Sequence, residues 1–240
     1  MSRTDLSAVV QRLMERKSAL AGEAATPPIA DRLQSVRAWQ ALRLARTYAD
    51  LRRDPLAEDA LDFFLSDLYG PRDFGRRDRE VARAWRLLSR ALPVRMLQVL
   101  AMAIELDVLS TELDLEMARR VPAGPLTAKA YAQAYRAVAR PDARKRQIAL
   151  TVAIGTALVR ATASPLVGVA LRAAHGPAHV AGFGALQDFL ERGCGAFRKL
   201  PHPTRLLAAI EARESQLMQI LLAGGTISGD PSADEMSRSA

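Results

Sequence analysis

The stretch VRMLQVLAMAIELDVLSTELDLEMARR, residues 94–120, decides the fold class. Placed at about 100° per residue, its apolar side chains divide between two faces. Leu97, Leu100, Ile104, Val108 and Leu115 share one, and Val99, Met102, Leu106, Leu109, Leu113 and Met117 share nearly the opposite one. A helix that is apolar on two sides has to lie between neighbours, so this segment is predicted to run through the middle of an all-α domain. Two acidic stripes separate the faces, Glu105, Glu112 and Glu116 on one side and Asp107 and Asp114 on the other. Glu-Leu-Asp at 105–107 recurs at 112–114, a repeat that returns each carboxylate to nearly the same angle.

Outward from this helix the same periodicity recurs, and sustained period-two alternation does not. Ala41, Leu44, Tyr48 and Leu51 form a stripe, as do Val81, Trp85, Leu88 and Leu92. Phe183, Leu186, Leu190, Cys194 and Phe197 form a third, and Leu206, Ile210, Leu217 and Leu221 a fourth. Prolines and glycines fall between the stripes, where helices begin and end. The spacing predicts helices over 4–21, 30–52, 56–69, 76–91, 94–120, 127–139, 142–174, 178–199 and 203–223. The expected architecture is a single bundle-like domain of eight or nine helices around two central apolar ones, 94–120 and 142–174. Residues 1–29 read as a helical arm with its linker, 30–223 as the domain and 224–240 as a disordered tail.

The second apolar helix is long enough to raise a membrane span. Arg160 near its middle and Pro165 oppose that, because a central charge costs about 2.5–3.5 kcal/mol on insertion scales. A buried helix kinked or broken near Ser164-Pro165 fits better. Cys194 is the single cysteine, so an internal disulfide is excluded and a reducing compartment is implied. The N-terminal residues carry charges and no apolar run, so no secretory signal is read there and the expected location is cytoplasmic. The net charge of +8 concentrates in 129–146, where Lys129, Arg136, Arg140, Arg144, Lys145 and Arg146 face Asp142 alone. That segment could meet a nucleic acid or an anionic membrane surface, yet beyond Tyr131 and Tyr135 no aromatic residues interleave with the charges to stack on bases.

Carboxylates projecting from a central bundle helix are one half of a non-haem metal site. With His175 and His179 four residues apart, Glu105 and Glu112 give a possible ligand set for a metal-dependent, oxygenase-like helical enzyme. Gly176-Pro177 between the histidines instead suggests that one ends a helix and the other opens the next. No Gly-x-Ser-x-Gly elbow, Walker loop or dinucleotide fingerprint is present, and Cys194 lies on an apolar stripe as an inert thiol. The balance of these signals is against catalysis, and no cofactor is predicted outside the metal alternative.

A different concentration of special residues lies at 63–78, FFLSDLYGPRDFGRRD. Gly70-Pro71 ends one helix, Asp73 caps the next and Phe74 staples the corner. That leaves Tyr69, Asp73, Arg77 and Asp78 to rim a binding site. The run Phe63-Phe64-Leu65-x-Asp67-Leu68-Tyr69-Gly70-x-x-Asp73-Phe74-x-x-Arg77-Asp78 resembles the hallmark of a family of uncharacterised bacterial all-helical proteins, a domain of unknown function. The segments Gly182-Phe183-Gly184-x-Leu186-Gln187-x-Phe189-Leu190-Glu191-Arg192-Gly193 and Glu211-x-Arg213-Glu214 are similar to the C-terminal part of that family. The resemblance implies a bacterial, cytosolic origin and no reaction, cofactor or catalytic residue. The leading expectation is a soluble accessory protein that binds a partner protein or a small ligand through the 63–78 corner, with its oligomeric state open.

Overall fold

The chain enters its first helix through a capping box. The Ser2 hydroxyl accepts from the Asp5 amide at 3.1 Å while the Asp5 carboxylate accepts from the Ser2 amide at 2.8 Å. The computed structural model describes residues 2–63, 85, 89 and 94–226. Among these, nine α-helices and no strand occur: α1 (Arg3–Ala24), α2 (Ile29–Thr47), α3 (Pro55–Asp62), α4 (Val94–Ala118), α5 (Ala128–Val138), α6 (Pro141–Thr162), α7 (Pro165–Val180), α8 (Gly184–Lys199) and α9 (Pro203–Leu222). The fold is all-α. Of the expected helix over 76–91 only residues 85 and 89 are described, and the tail beyond 226 lies outside the described residues.

Helix α4 is the axis, and its two faces go to different neighbours as the periodicity requires. Leu97, Ile104, Val108 and Leu115 pack with Leu6, Val10 and Leu20 of α1 and Leu33 of α2. On the other side, Leu106 joins Leu150 and Ile154 of α6. Two and three turns further on, Leu113 and Met117 join Trp39, Tyr131, Tyr135, Leu217 and Leu221 from α2, α5 and α9. Helix α1 is therefore no loosely attached arm. Its buried Leu6, Val10 and Leu20 join Leu33 of α2 in covering one face of α4, and an apolar face of that kind has a stable place only against a partner.

The second central helix is central only in its first half. It breaks at Ala163-Ser164, where Ser164 turns extended and Pro165 opens α7 as its first residue, and α6 and α7 diverge by 92°. Helix α6 buries Ile148, Leu150, Thr151, Ile154 and Gly155, whereas Gly168 alone is buried in α7. Against Gly155 the Leu207 side chain of α9 sits so close that a Cβ would fall 2.4 Å from Cδ2. Helix α7 packs along α8 and leaves Leu166, Val169 and Val180 exposed. No single helix among the described residues is long and apolar enough to cross a membrane.

The Gly176-Pro177 pair does not end a helix. Helix α7 runs through it and stops at Ala181, where Gly182 takes the left-handed conformation with φ 79°. There the Phe183 amide donates to the Ala178 carbonyl (2.8 Å) and the Gly182 amide to the His179 carbonyl (3.1 Å), a Schellman closure.

Candidate functional site

Where the acidic stripe of α4 meets α1 and α6, the helices leave an open groove of about 360 Å³. Its apolar floor is Leu13, Val108, Leu109 and Ala143, and its rim carries Arg16, Arg140 and Arg146 against Glu105 and Glu112. Arg146 grips Glu105 with two bonds, Nε at 2.7 Å and Nη2 at 2.8 Å. Arg16 Nε donates to Glu112 at 2.6 Å, and Arg140 Nη1 donates to Glu116 at 2.8 Å while standing 3.8 Å from Glu112. These pairs hold the Arg16 and Arg146 guanidiniums above their ordinary range, through the hydrogen bond to the carboxylate first. The other stripe is paired as well, Asp107 with Lys17 at 2.5 Å and Asp114 with Gln40 at 2.9 Å and Arg37 at 3.5 Å.

The proposed ligands of a single metal site are thus divided. Glu105 and Glu112 face the groove and its arginines. His175 and His179 lie on α7, their ring centroids 4.5 Å apart because the helix continues through Gly176-Pro177. There His179 Nε2 meets Asp188 at 2.9 Å and His175 Nδ1 meets both Glu191 oxygens at 3.1 Å. Tyr69, Asp73, Arg77 and Asp78 lie outside the described residues. Phe63, the first residue of their motif, is buried between Phe189 (centroids 5.2 Å apart) and Phe197 (6.4 Å, edge-on), lying over Gly193, where a Cβ would be 2.7 Å from its ring.

In the basic segment 129–146, Lys129, Arg136 and Lys145 are exposed, whereas the other three cations have partners within the fold. Arg140 and Arg146 are committed to carboxylates, and Arg144 is buried with its guanidinium 4.5 Å over the Tyr135 ring and 3.3 Å from Gln147 Oε1. Burial pushes the Tyr131 and Tyr135 phenols upward, with the nearby arginines partly opposing. Beside them Arg43 donates to Glu214 at 2.6 Å and the Tyr48 hydroxyl donates to the same oxygen at 2.9 Å. Burial works against the Arg43 charge, and the Glu214 carboxylate outweighs it, so this guanidinium stays protonated. Among the described residues, the charged side chains buried in the core are Arg43, Arg144, Asp114 and Glu214, two of each sign. The Arg43–Glu214 pair ties α2 to α9 and the Gln40–Asp114 bond ties α2 to α4, while Arg144 lies over the Tyr135 ring of α5. Burial pushes the Cys194 thiol upward too, the opposite of a reactive cysteine.

Sequence reasoning placed Glu105 and Glu112, and named Arg140 and Arg146 in the basic segment, but did not join the two sets or bring in Arg16, since periodicity gives a helix its faces and not its neighbours. It also missed Asp188 and Glu191. The available signal was Gly182: a helix ending there folds back as a hairpin, which sets 175 opposite 191 and 179 opposite 188.

No curated protein and no solved structure matches the chain. The family model described as Domain of unknown function (DUF8198) matches residues 19–227, a span running from the end of α1 past the end of α9. By that match over most of its length, the chain belongs to the DUF8198 family.

Proposed function

We propose that this chain is a binding protein without catalysis of its own, which takes a small amphipathic anion into the groove between α1, α4 and α6. The observation that carries the reading is an apolar floor of Leu13, Val108, Leu109 and Ala143 with three guanidiniums at its edge. A groove of that volume accommodates a small organic molecule, and mostly apolar walls with a few placed polar groups are what such sites use. Each guanidinium has five N–H donors in a fixed fork. Arg16 spends one of them on Glu112 and Arg140 spends one on Glu116, so further donors are present for a carboxylate, sulfonate or phosphate head. Among the lining residues the three arginines outnumber the two glutamates, which favours an anion over a cation.

Anilinonaphthalene sulfonate, with an aromatic body and a sulfonate head, serves as the probe. The expected result is saturable binding near one equivalent that weakens as salt rises. Ala143→Phe, which fills the groove from a half-buried position on α6, is expected to weaken it at least about tenfold, and Arg140→Gln to remove much of the salt dependence. Binding that is unchanged in both variants, with helical circular dichroism intact, would place the dye elsewhere and overturn the reading.

A further inference from the structure

Helices α7 and α8 form an antiparallel hairpin whose polar edge concentrates two of the three histidines of the chain beside two carboxylates. We propose that His175, His179 and Asp188 form a binding site for a divalent transition-metal ion of the zinc type, a site separate from the groove and independent of its ligand.

Four observations carry it. First, one ligand atom from each of the three residues lies within 4.8 Å of the other two. Tetrahedral coordination at Zn–N and Zn–O distances near 2.0–2.2 Å needs donors about 3.3 Å apart, so small side-chain rotations close the set. Second, the histidines are four apart on one continuous helix, which puts both imidazoles on the same face. Third, the His179 ring lies close against Gly184, where a Cβ would be 2.6 Å from Nδ1. The absence of a side chain at that position is what admits the ring. Fourth, the His175 ring is held by a chain of bonds that begins in the interior. The buried Gln187 amide donates to the Leu171 carbonyl at 2.7 Å and to Glu191 Oε1 at 2.9 Å, and Glu191 in turn meets His175 Nδ1. A carboxylate on one ring nitrogen fixes the tautomer and orientation of an imidazole and makes the other nitrogen a better donor.

The chemistry of the set selects the ion. Two imidazoles and one carboxylate suit zinc, nickel or cobalt and offer calcium or magnesium a single carboxylate where each requires a shell of oxygens. Three protein ligands leave a fourth position for water, the open arrangement of a labile or reactive ion rather than of a closed structural one. An ion held there would clip α7 to α8. That clip has a place to act, because among the described elements α7 has one extensive helix contact, with α8, and a lesser one with α6.

The test uses the full chain with any affinity tag removed, stripped by chelator and titrated with Zn²⁺ by calorimetry at neutral pH. One equivalent is expected to bind, with amide exchange in 165–180 slowing on addition of the ion. His175→Asn, His179→Asn and Asp188→Asn are each expected to weaken binding by more than about tenfold. Gln187→Ala and Gly184→Ala, which act on ring position, are each expected to weaken it about 10–100-fold. All three ligands are at least partly exposed, so their substitution leaves the helical signal as a check that the fold is intact. No saturable uptake by the stripped protein, or uptake that survives the double change His175→Asn/His179→Asn, would overturn the site.

Discussion

At the scale of single residues, two glycines two positions apart in α8 have opposite roles. Gly193 lies under the Phe63 ring, and that ring is held by Phe189 and Phe197 and cannot move aside. Gly195 is exposed, with nothing within 4 Å of where its Cβ would be. Gly193→Ala is therefore expected to destabilise the protein by about 1–3 kcal/mol through overpacking. Gly195→Ala should stabilise it by about 0.5–1 kcal/mol through helix propensity alone. Denaturant midpoints of the two variants check the pair, and equal shifts of the same sign would refute it. The sequence reads Gly193-Cys194-Gly195 as a site of close approach in a helix but does not say which glycine is approached. That depends on Phe63, which comes from another part of the chain and reaches α8 only in the folded molecule. The Arg213-Glu214 dipeptide was equally opaque. Its neighbours in space, Tyr48 and Arg43 for Glu214 and Thr47 and Asp50 for Arg213, all belong to the end of α2 or just beyond it.

At the scale of elements, helix interiors were legible and helix ends less so. The two faces of α4 followed from a 3.6-residue period, which is a property of the chain itself. The end of α7 did not, because Gly176 and Gly182 look alike in sequence and only Gly182 takes a positive φ. The end of α2 is secured in another way. Arg213 on α9 donates to the Thr47 carbonyl at 2.6 Å and grips Asp50 through two bonds of 2.7 and 2.6 Å, capping that helix with a cation from a distant segment. The Arg213 hydrogen bonds hold the Asp50 carboxyl down to about 2, with slight burial opposing. An unfolded aspartate titrates near 4. The folded value is the lower one, so the stabilisation is fully present above about pH 4 and is lost as pH falls from about 4 toward 2. Because the pair is more than half exposed on the Asp50 side, its contribution is below about 1 kcal/mol. Asp50→Asn is expected to be slightly less stable than wild type at pH 6 and nearly equal to it at pH 2.5. Thermal midpoints that differ by the same amount at both pH values would count against this cap.

At the scale of the whole molecule, the question is where the cooperative unit begins. The family match starts at residue 19, inside α1, and composition made 1–29 look separable. The packing argues otherwise, since Leu6, Val10 and Leu20 are at most 3% exposed and cover Leu97, Ile104, Val108 and Leu115 of α4. Polar ties run alongside this contact: Arg16 to Glu112, Lys17 to Asp107, and Arg119 to Glu23. Burying three such side chains contributes about 1.5–3 kcal/mol each. Their sum rivals the 5–15 kcal/mol that separates folded from unfolded states in a typical domain. Removal would also uncover a contiguous apolar face on the central helix and strand its acidic stripes without two of their cations. A chain lacking residues 2–24 is therefore expected to lose its sharp thermal transition and to bind apolar dye broadly, without saturation near one equivalent. Supplying α1 as a separate peptide is expected to restore the transition in proportion to the peptide added. A truncated chain that unfolds as sharply as the full one, with a midpoint within about 2 °C of it, would show that α1 lies outside the cooperative core.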